Sequence, residues 1–261
     1  MLLAVLASSM AWGVVMPPAV PFRVLADEQS PWWAAKYYWD RRHQAKLHEI
    51  MRGSRQYDFV FIGDTNIQNW EGWKHPKDVA HHSALFAAGK VGVPNGAGFP
   101  VWRELRRSYR LLNVGMAGDT TQNILWRLDN GELDDYKTRG FVLQAGANNG
   151  EEPVMVADGI RAILDRIFEI HPLAKVVLTP IFPRGENAQD VRRVHDEAVN
   201  ELVRKFADGK KVFWCDFNDQ LLDAEGGVDL EMMPDRFYLS SKGYGVWRDA
   251  LLPYFRRICK Q

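Results

Sequence analysis

The sequence predicts a single α/β domain built on a parallel sheet with helices on both faces. Apolar runs typical of buried parallel strands alternate with helical segments five times along the 261 residues. Several of these runs end in glycine and polar residues, and the carboxyl edge of such a sheet is where ligands bind. Because no internal repeat or linker interrupts the pattern, we expect one domain over residues 27–261.

The central strand is predicted at residues 57–63, where a continuous apolar stretch is typical of a strand buried on both faces. A helix is predicted before it, with a cap at Ser30, proline at its first turn and a glycine stop at Gly53. The other predicted strands are residues 109–114, 140–144, 174–181 and 211–217, and the other predicted helices are residues 101–107, 120–128, 153–170, 188–206 and 240–258.

An insertion of about residues 74–99 separates the first two strands. It is rich in glycine, proline and histidine and lacks sustained periodicity, so we expect a loop with one helical turn near residues 83–88. We interpret its histidines, His75, His81 and His82, as solvated loop residues, with a new active site built by the insertion as the weaker alternative. The sequence lacks the His and Cys spacing of metal sites, so we expect no metal and no cofactor.

Residues 1–26 resemble a signal peptide or another N-terminal targeting segment. They are mostly small and apolar, and the sequence Val-Leu-Ala at residues 24–26 is typical of a cleavage site. No basic residue precedes Arg23, which leaves an uncleaved anchor or an upstream start as alternatives. Prolines at positions 17, 18 and 21 disfavour a stable membrane-spanning helix. We therefore expect export to the periplasm or the extracellular space.

Charge and cysteine content exclude some functional classes. The 33 basic residues balance the 33 acidic ones, and no long basic run is present, which argues against a nucleic-acid partner. In an exported chain the two cysteines, Cys215 and Cys259, could form a disulfide, but separate packing in an apolar strand and a terminal helix explains each of them.

Polar clusters follow four of the predicted elements, at residues 64–66, 115–121, 146–149 and 235–241. Taken singly, such residues are more often turn or cap residues than functional ones. Their recurrence at the ends of strands in one sheet favours a shared site, with the Thr65 hydroxyl at its centre.

The motifs FIGDT, LLNVGMAGDTTQNILWRLDNGEL, GANN, IFPRG and MPDRFYLSSKGYGVW occur in this order. Together they resemble the SGNH or GDSL-type ester hydrolases, above all the platelet-activating-factor acetylhydrolase alpha subunits and their bacterial relatives. The resemblance implies a three-layer α/β/α sandwich with a flavodoxin-like, five-stranded parallel sheet in the order 2-1-3-4-5. It also implies a small-molecule ester or carbohydrate ligand, and it leaves a homodimer open because the family includes dimers.

The same resemblance assigns roles to five residues. The family's nucleophilic serine falls on Thr65, and its oxyanion-binding donors fall on the amides of Thr65 and Gly118 and on the side chain of Asn148. The aspartate and histidine of its catalytic triad fall on Asp235 and Tyr238, so serine and histidine are both replaced.

The replacement of histidine by tyrosine matters most for the chemistry. An imidazole has a pKa near ~6.5 and accepts a proton at neutral pH, whereas a phenol has a pKa near ~10 and stays protonated. We therefore expect a hydrolase of short acyl esters, acetyl esters of carbohydrate or lipid, with low catalytic power. The alternative is a non-catalytic protein that keeps the pocket to bind a ligand.

Overall fold

A five-stranded parallel sheet forms the middle layer of the protein, whose computed structural model describes residues 10–11, 14–15, 17–23 and 36–260. The strands pair in the order β2-β1-β3-β4-β5, which confirms the predicted order. Their bounds are β1 Gln56–Gly63, β2 Leu111–Asn113, β3 Lys137–Gln144, β4 Lys175–Leu178 and β5 Val212–Trp214.

Helices cover both faces of this sheet. Along β1, Phe59 and Phe61 point into one apolar core and Val60 and Ile62 into the other, and all four are 0% exposed. This is why the strand is an unbroken apolar run. The helices are α1 Lys36–Arg52, α2 Thr65–Gln68, α3 Pro76–Ala87, α4 Phe99–Leu105, α5 Thr121–Arg127, α6 Pro153–Ile170, α7 Val191–Val203 and α8 Ser241–Cys259.

The two cores define the three layers. Side chains of α4 and α8 pack with Phe59 and Phe61, whereas those of α5, α6 and α7 pack with Val60 and Ile62. The predicted α/β/α sandwich is therefore confirmed. Helix α5 ends in a kinked turn, Leu128–Glu132, in which Asn130 and Gly131 leave the helical conformation, and α7 ends in a short 3-10 turn, Arg204–Phe206.

The insertion contains a helix that the sequence did not predict. Residues 83–88 were expected to form a single turn, but α3 has 12 residues and starts at Pro76, with His75 as its cap. Its buried residues are Asp78 and His82, four positions apart, and Arg41 of α1 donates to both carboxylate oxygens of Asp78. A helix whose buried face is polar carries no hydrophobic periodicity, and this explains the wrong prediction.

Residues 17–23 pack against α5. The Thr121 hydroxyl donates to the Pro18 carbonyl at 3.0 Å, and Phe22 exchanges hydrogen bonds with the α5 residues Gln122 and Asn123. The candidate cleavage site at residues 24–26 and the predicted helix start at Ser30 lie outside the described residues. Within the described ranges, no helix combines the length and apolar character that a membrane crossing requires.

Both cysteines are free thiols. Cys215, after β5, is buried and its Sγ donates to the carbonyl of Ala250 at 3.4 Å. Burial raises the pKa of this thiol to about 12, so it stays protonated and packs as a small apolar side chain.

Candidate active site

Thr65 is the first residue of α2, directly after the turn that ends β1. Asp64 caps this helix, since its Oδ1 accepts from the Asn66 amide at 3.2 Å. The Thr65 hydroxyl accepts a hydrogen bond of 3.1 Å from the backbone amide of Gly118. Gly118 has φ +80°, in the left-handed region that favours glycine, and this conformation is part of the turn that aims its amide at Thr65.

The loop that carries Gly118 is fixed by buried side chains. Asn113 accepts from the Gly115 amide at 2.8 Å, and Asp119 accepts from Trp39 Nε1 at 2.8 Å and from Arg127 Nε at 2.7 Å. Burial raises the pKa of Asp119 to about 6, although the adjacent Arg127 guanidinium lowers it. The position of the Gly118 amide is therefore set by contacts on the side of the loop that faces away from Thr65.

Asn148 follows β3 and completes a polar framework with Asp64 and Asp119. Its Nδ2 donates to the Asp119 carbonyl at 2.9 Å and to Asp64 Oδ2 at 3.3 Å. Both hydrogens of the amide are thus engaged, and the longer bond to Asp64 is the one that an incoming ligand oxygen would replace more easily. Burial raises the pKa of Asp64 to about 7, against the lowering effects of the Asn66 amide and of Arg184.

Tyr238 lines the same cavity as Thr65, whose hydroxyl is near enough to the phenol to lower its pKa. Burial, followed by the charges of Asp235 and Asp64, raises the pKa of Tyr238 to about 12. A phenol with this pKa can donate a hydrogen bond at neutral pH but has almost no capacity to accept a proton from Thr65.

Both carboxylate oxygens of Asp235 accept hydrogen bonds from backbone amides. Its Oδ1 accepts from Phe237 at 3.0 Å and from Tyr238 at 2.9 Å, and its Oδ2 accepts from Gly92 at 2.9 Å. Gly92 belongs to the insertion, which therefore reaches the site through its backbone. A Cβ on Gly92 would lie 2.5 Å from the Asp235 Cβ, so only glycine allows this approach. No pattern in the sequence indicates this contact.

The histidines of the insertion do not take the place of the missing imidazole. His75 accepts from the Lys77 amide at the start of α3, and His82 is 5% exposed and packs near Trp73. Burial is the main cause that lowers the pKa of His82. His81 lies on the same helix and is exposed. Among the hydrogen bonds of the described residues, none joins a histidine to Thr65.

A cavity of about 40 Å³ opens next to Thr65. Arg184 holds its loop in place by donating to both oxygens of Asp196 at 2.6 and 2.9 Å and to the Ala147 carbonyl at 2.8 Å. In the described part of the chain, no three His, Cys, Asp or Glu side chains are grouped to hold a metal ion. The cavity is lined by Asp64, Thr65, Asn66, Gln144, Ala147, Asn148, Ile181, Phe182, Arg184, Phe237 and Tyr238.

The structure thus brings together four of the five predicted site residues around one hydroxyl. Gly118, Asn148 and Tyr238 surround Thr65, whereas Asp235 lies behind Tyr238 and is held by the insertion. Gln144 and Phe237, which also line the cavity, were missed by sequence reasoning. The only sequence signal for Gln144 is a polar residue that ends the apolar run of β3.

Known proteins resemble this chain in sequence and in fold. The model of the GDSL-like Lipase/Acylhydrolase family matches residues 86–246, which is more than half of the chain. The chain belongs to this family. The matched range includes Gly118, Asn148, Asp235 and Tyr238, and it begins after Thr65. The chain is also 35% identical to the platelet-activating factor acetylhydrolase IB subunit alpha1 of Pongo abelii over 163 residues, which cover 62% of this chain and 70% of that protein.

Solved structures of this GDSL-like family confirm the fold. A protein from Streptococcus pneumonia, named for platelet activating factor, superposes with a TM-score of 0.60 at 20% identity, covering 83% of this chain and 92% of the other. A GDSL-like lipase from Bacteroides thetaiotaomicron superposes with a TM-score of 0.56 at 14% identity, covering 84% and 97%. At these identities the likeness concerns the sandwich and its strand order alone.

Proposed function

We propose that this GDSL-family protein hydrolyses short acyl esters of carbohydrate or lipid, and does so slowly. The observation that carries the proposal is that the Thr65 hydroxyl shares its cavity with a phenol, where a hydrolase of this kind needs an imidazole. The small cavity supports a short acyl group, and the name of the 35% identical relative, an acetylhydrolase, makes acetyl the reference substrate.

The proposed reaction starts with attack of Thr65 Oγ1 on the acyl carbon. The negative charge that develops on the carbonyl oxygen would be stabilised by the amides of Thr65 and Gly118 and by the side chain of Asn148. The Gly118 amide would have to turn from Thr65 Oγ1 to the substrate oxygen, and Asn148 would exchange its long hydrogen bond to Asp64 for one to that oxygen.

The hydroxyl proton must leave as the new C–O bond forms. The C–O bond to the alcohol would then break, the departing alcohol would take up a proton, and water would hydrolyse the acyl-Thr65 ester to release the acid and restore the hydroxyl. With a pKa of about 12, only about one Tyr238 phenol in 10⁵ is ionised at pH 7 and able to take the Thr65 proton.

Removal of the proton is therefore the slow part of this reaction. A site without its general base keeps about 10³–10⁴-fold acceleration over water through oxyanion stabilisation and binding. Hydrolysis of p-nitrophenyl acetate by the wild-type protein and by Thr65→Ala tests the proposal. We expect a slow wild-type rate that Thr65→Ala lowers to background. Turnover at ~10 s⁻¹, typical of ordinary enzymes, would show that a competent base is present.

A second candidate function is ligand binding without catalysis. It is favoured by the hydrogen bonds of Asp235. The two carboxylate oxygens accept hydrogen bonds from three backbone amides, one of which belongs to the insertion, and so connect the insertion to the site. In this view the carboxylate holds the pocket together and has no part in proton transfer. A wild-type rate equal to that of Thr65→Ala, with retained ligand binding, would favour this candidate over the hydrolase.

A further inference from the structure

Gln144, the last residue of β3, has a buried side chain with unmet hydrogen-bonding capacity. It is 1% exposed, and neither its Oε1 nor its Nε2 has a hydrogen-bond partner among the described residues. Buried amides in folded proteins are nearly always paired, so an unpaired one that lines a cavity indicates a site for a polar ligand.

Gln144 is also close to the reacting hydroxyl along the sheet. It pairs with Gly63 in the β1–β3 register, two residues before Thr65, and it lines the same cavity as Thr65. Asn66, next to Thr65, adds a second buried and unpaired acceptor, its Oδ1. The cavity therefore offers one amide donor and two amide acceptors without partners.

The charges around this cavity favour a neutral ligand group. The Arg184 guanidinium is neutralised by two hydrogen bonds to Asp196, so it attracts an anion only weakly. The Asp64 carboxyl group lines the cavity as well, so groups of both charge signs face it and neither an anion nor a cation is clearly favoured. A neutral group that both donates and accepts within a single heavy atom is a hydroxyl.

The size of the cavity decides which part of a substrate it holds. A water molecule needs roughly 10–15 Å³ of such space, so 40 Å³ admits a group of about three non-hydrogen atoms. This is close to the four non-hydrogen atoms of a two-carbon acyl group with one hydroxyl, and a sugar ring on the same substrate would extend out of the cavity, which is open to solvent. Ile181 and Phe182 close one side of the cavity with apolar surface, against which the carbon of such a chain would pack.

We propose that Gln144 determines substrate specificity by binding a hydroxyl on the acyl group, so that 2-hydroxyacyl esters of the glycolyl type bind better than acetyl esters. The hydroxyl would accept from Gln144 Nε2 and donate to Gln144 Oε1 or to Asn66 Oδ1. This inference rests on the proposed ester-hydrolase function and defines its acyl group.

Binding of two small esters, measured by chemical-shift titration of the wild-type protein, tests the inference without depending on turnover. The two esters, methyl glycolate and methyl acetate, differ only in the hydroxyl. We expect methyl glycolate to bind roughly tenfold or more tightly, because only its acyl group carries a hydroxyl that can pair with Gln144. Gln144→Met, which keeps the length of the side chain and removes its polar atoms, should abolish the difference. Gln44→Met, at an exposed position of α1, is the matched control and should preserve it.

Equal affinity for the two esters in the wild-type protein overturns the inference, and this result does not depend on any variant folding. A preference that persists in folded Gln144→Met also overturns it. Methyl glucoside could instead bind more tightly than methyl glycolate, with the difference lost in Gln144→Met. That result would show that the bound hydroxyl belongs to the alcohol part of the substrate and would refute the proposal that it belongs to the acyl group. A Gln144-dependent preference without any Thr65-dependent hydrolysis would refute the hydrolase proposal alone and leave the specificity of the pocket in place.

Discussion

Replacing the phenol by an imidazole should turn the protein into an efficient esterase. In the double variant Thr65→Ser, Tyr238→His the hydroxyl loses a methyl group, and the residue beside it gains a base with a pKa near ~6.5. The amides that would stabilise the oxyanion and the Asp235 carboxylate are unchanged by these substitutions. The perturbation therefore acts on proton transfer and leaves the rest of the site in place.

The magnitude follows from the ionisation of the two groups. At pH 7 about one phenol in 10⁵ is ionised when its pKa is about 12, whereas most imidazoles with a pKa near ~6.5 are already in the basic form. The larger fraction of basic imidazole does not raise the rate in full proportion, because imidazole is a weaker base than a phenolate. General base catalysis contributes about 10²–10⁴-fold, and we expect kcat/KM for p-nitrophenyl acetate to rise by about this factor.

The assay compares initial rates at pH 7 and the pH profiles of the folded proteins. The wild-type rate should rise about tenfold per pH unit above neutrality, because the phenolate fraction does, whereas that of the double variant should level off above pH ~7. Thr65→Ala combined with Tyr238→His is the control for hydrolysis by the imidazole alone. A folded double variant no faster than the wild type would refute our account of the site, as would a wild-type rate that is already high and level at pH 7.

Three further predictions concern stability. Burial raises the pKa of Asp64 from 3.8 to about 7, so its contribution to stability is complete below pH ~4 and is lost as the pH rises to ~7. Asp64→Asn keeps an oxygen for the Asn66 amide but cannot accept from Asn148 at its new nitrogen, so in urea unfolding it should gain less than about 4 kcal/mol over the wild type at pH 8 and be less stable than the wild type at pH 4. Gly92→Ala should destabilise the protein by about 1–3 kcal/mol through collision with Asp235, whereas Gly245→Ala, in α8 with open space around it, should be neutral or stabilising. The expected cleavage after Ala26 would produce a chain that starts at Asp27. This chain should be less stable by about 2–4 kcal/mol than one that keeps Pro17 to Arg23, because Thr121 and Asn123 lose hydrogen-bond partners. Equal melting curves for the two chains would contradict this prediction.

The strands could be predicted because each is buried on both faces. Val60 and Phe61 of β1 are both 0% exposed although they point in opposite directions, so burial itself produces the apolar run that the sequence displays. Helix α3 could not be predicted, since Asp78 and His82 form its buried face. Hydrophobic periodicity detects a helix only where burial is apolar.

The candidate site was predictable where it follows strand ends and unpredictable where it depends on tertiary contacts. Thr65 and Asn148 meet because β1 and β3 are neighbours in the sheet and their polar residues follow directly. Gly92 contacts Asp235 across 143 positions of the sequence, and no local pattern indicates such a contact. The side chain of Gln144 is buried without hydrogen-bond partners among the described residues, and a sequence alone does not show such a property.

The polar framework of the site is independent of the group that would move the proton. Asn148 is held by Asp119 and Asp64, and the Gly118 amide points at Thr65 because the following residue, Asp119, is fixed by Arg127 and Trp39. None of these contacts involves the Tyr238 side chain. A change at position 238 can therefore remove or restore proton transfer while the donors stay in place. Because of this separation, the same fold is compatible with a slow hydrolase and with a binding protein, and the Thr65-dependent part of the wild-type rate distinguishes them.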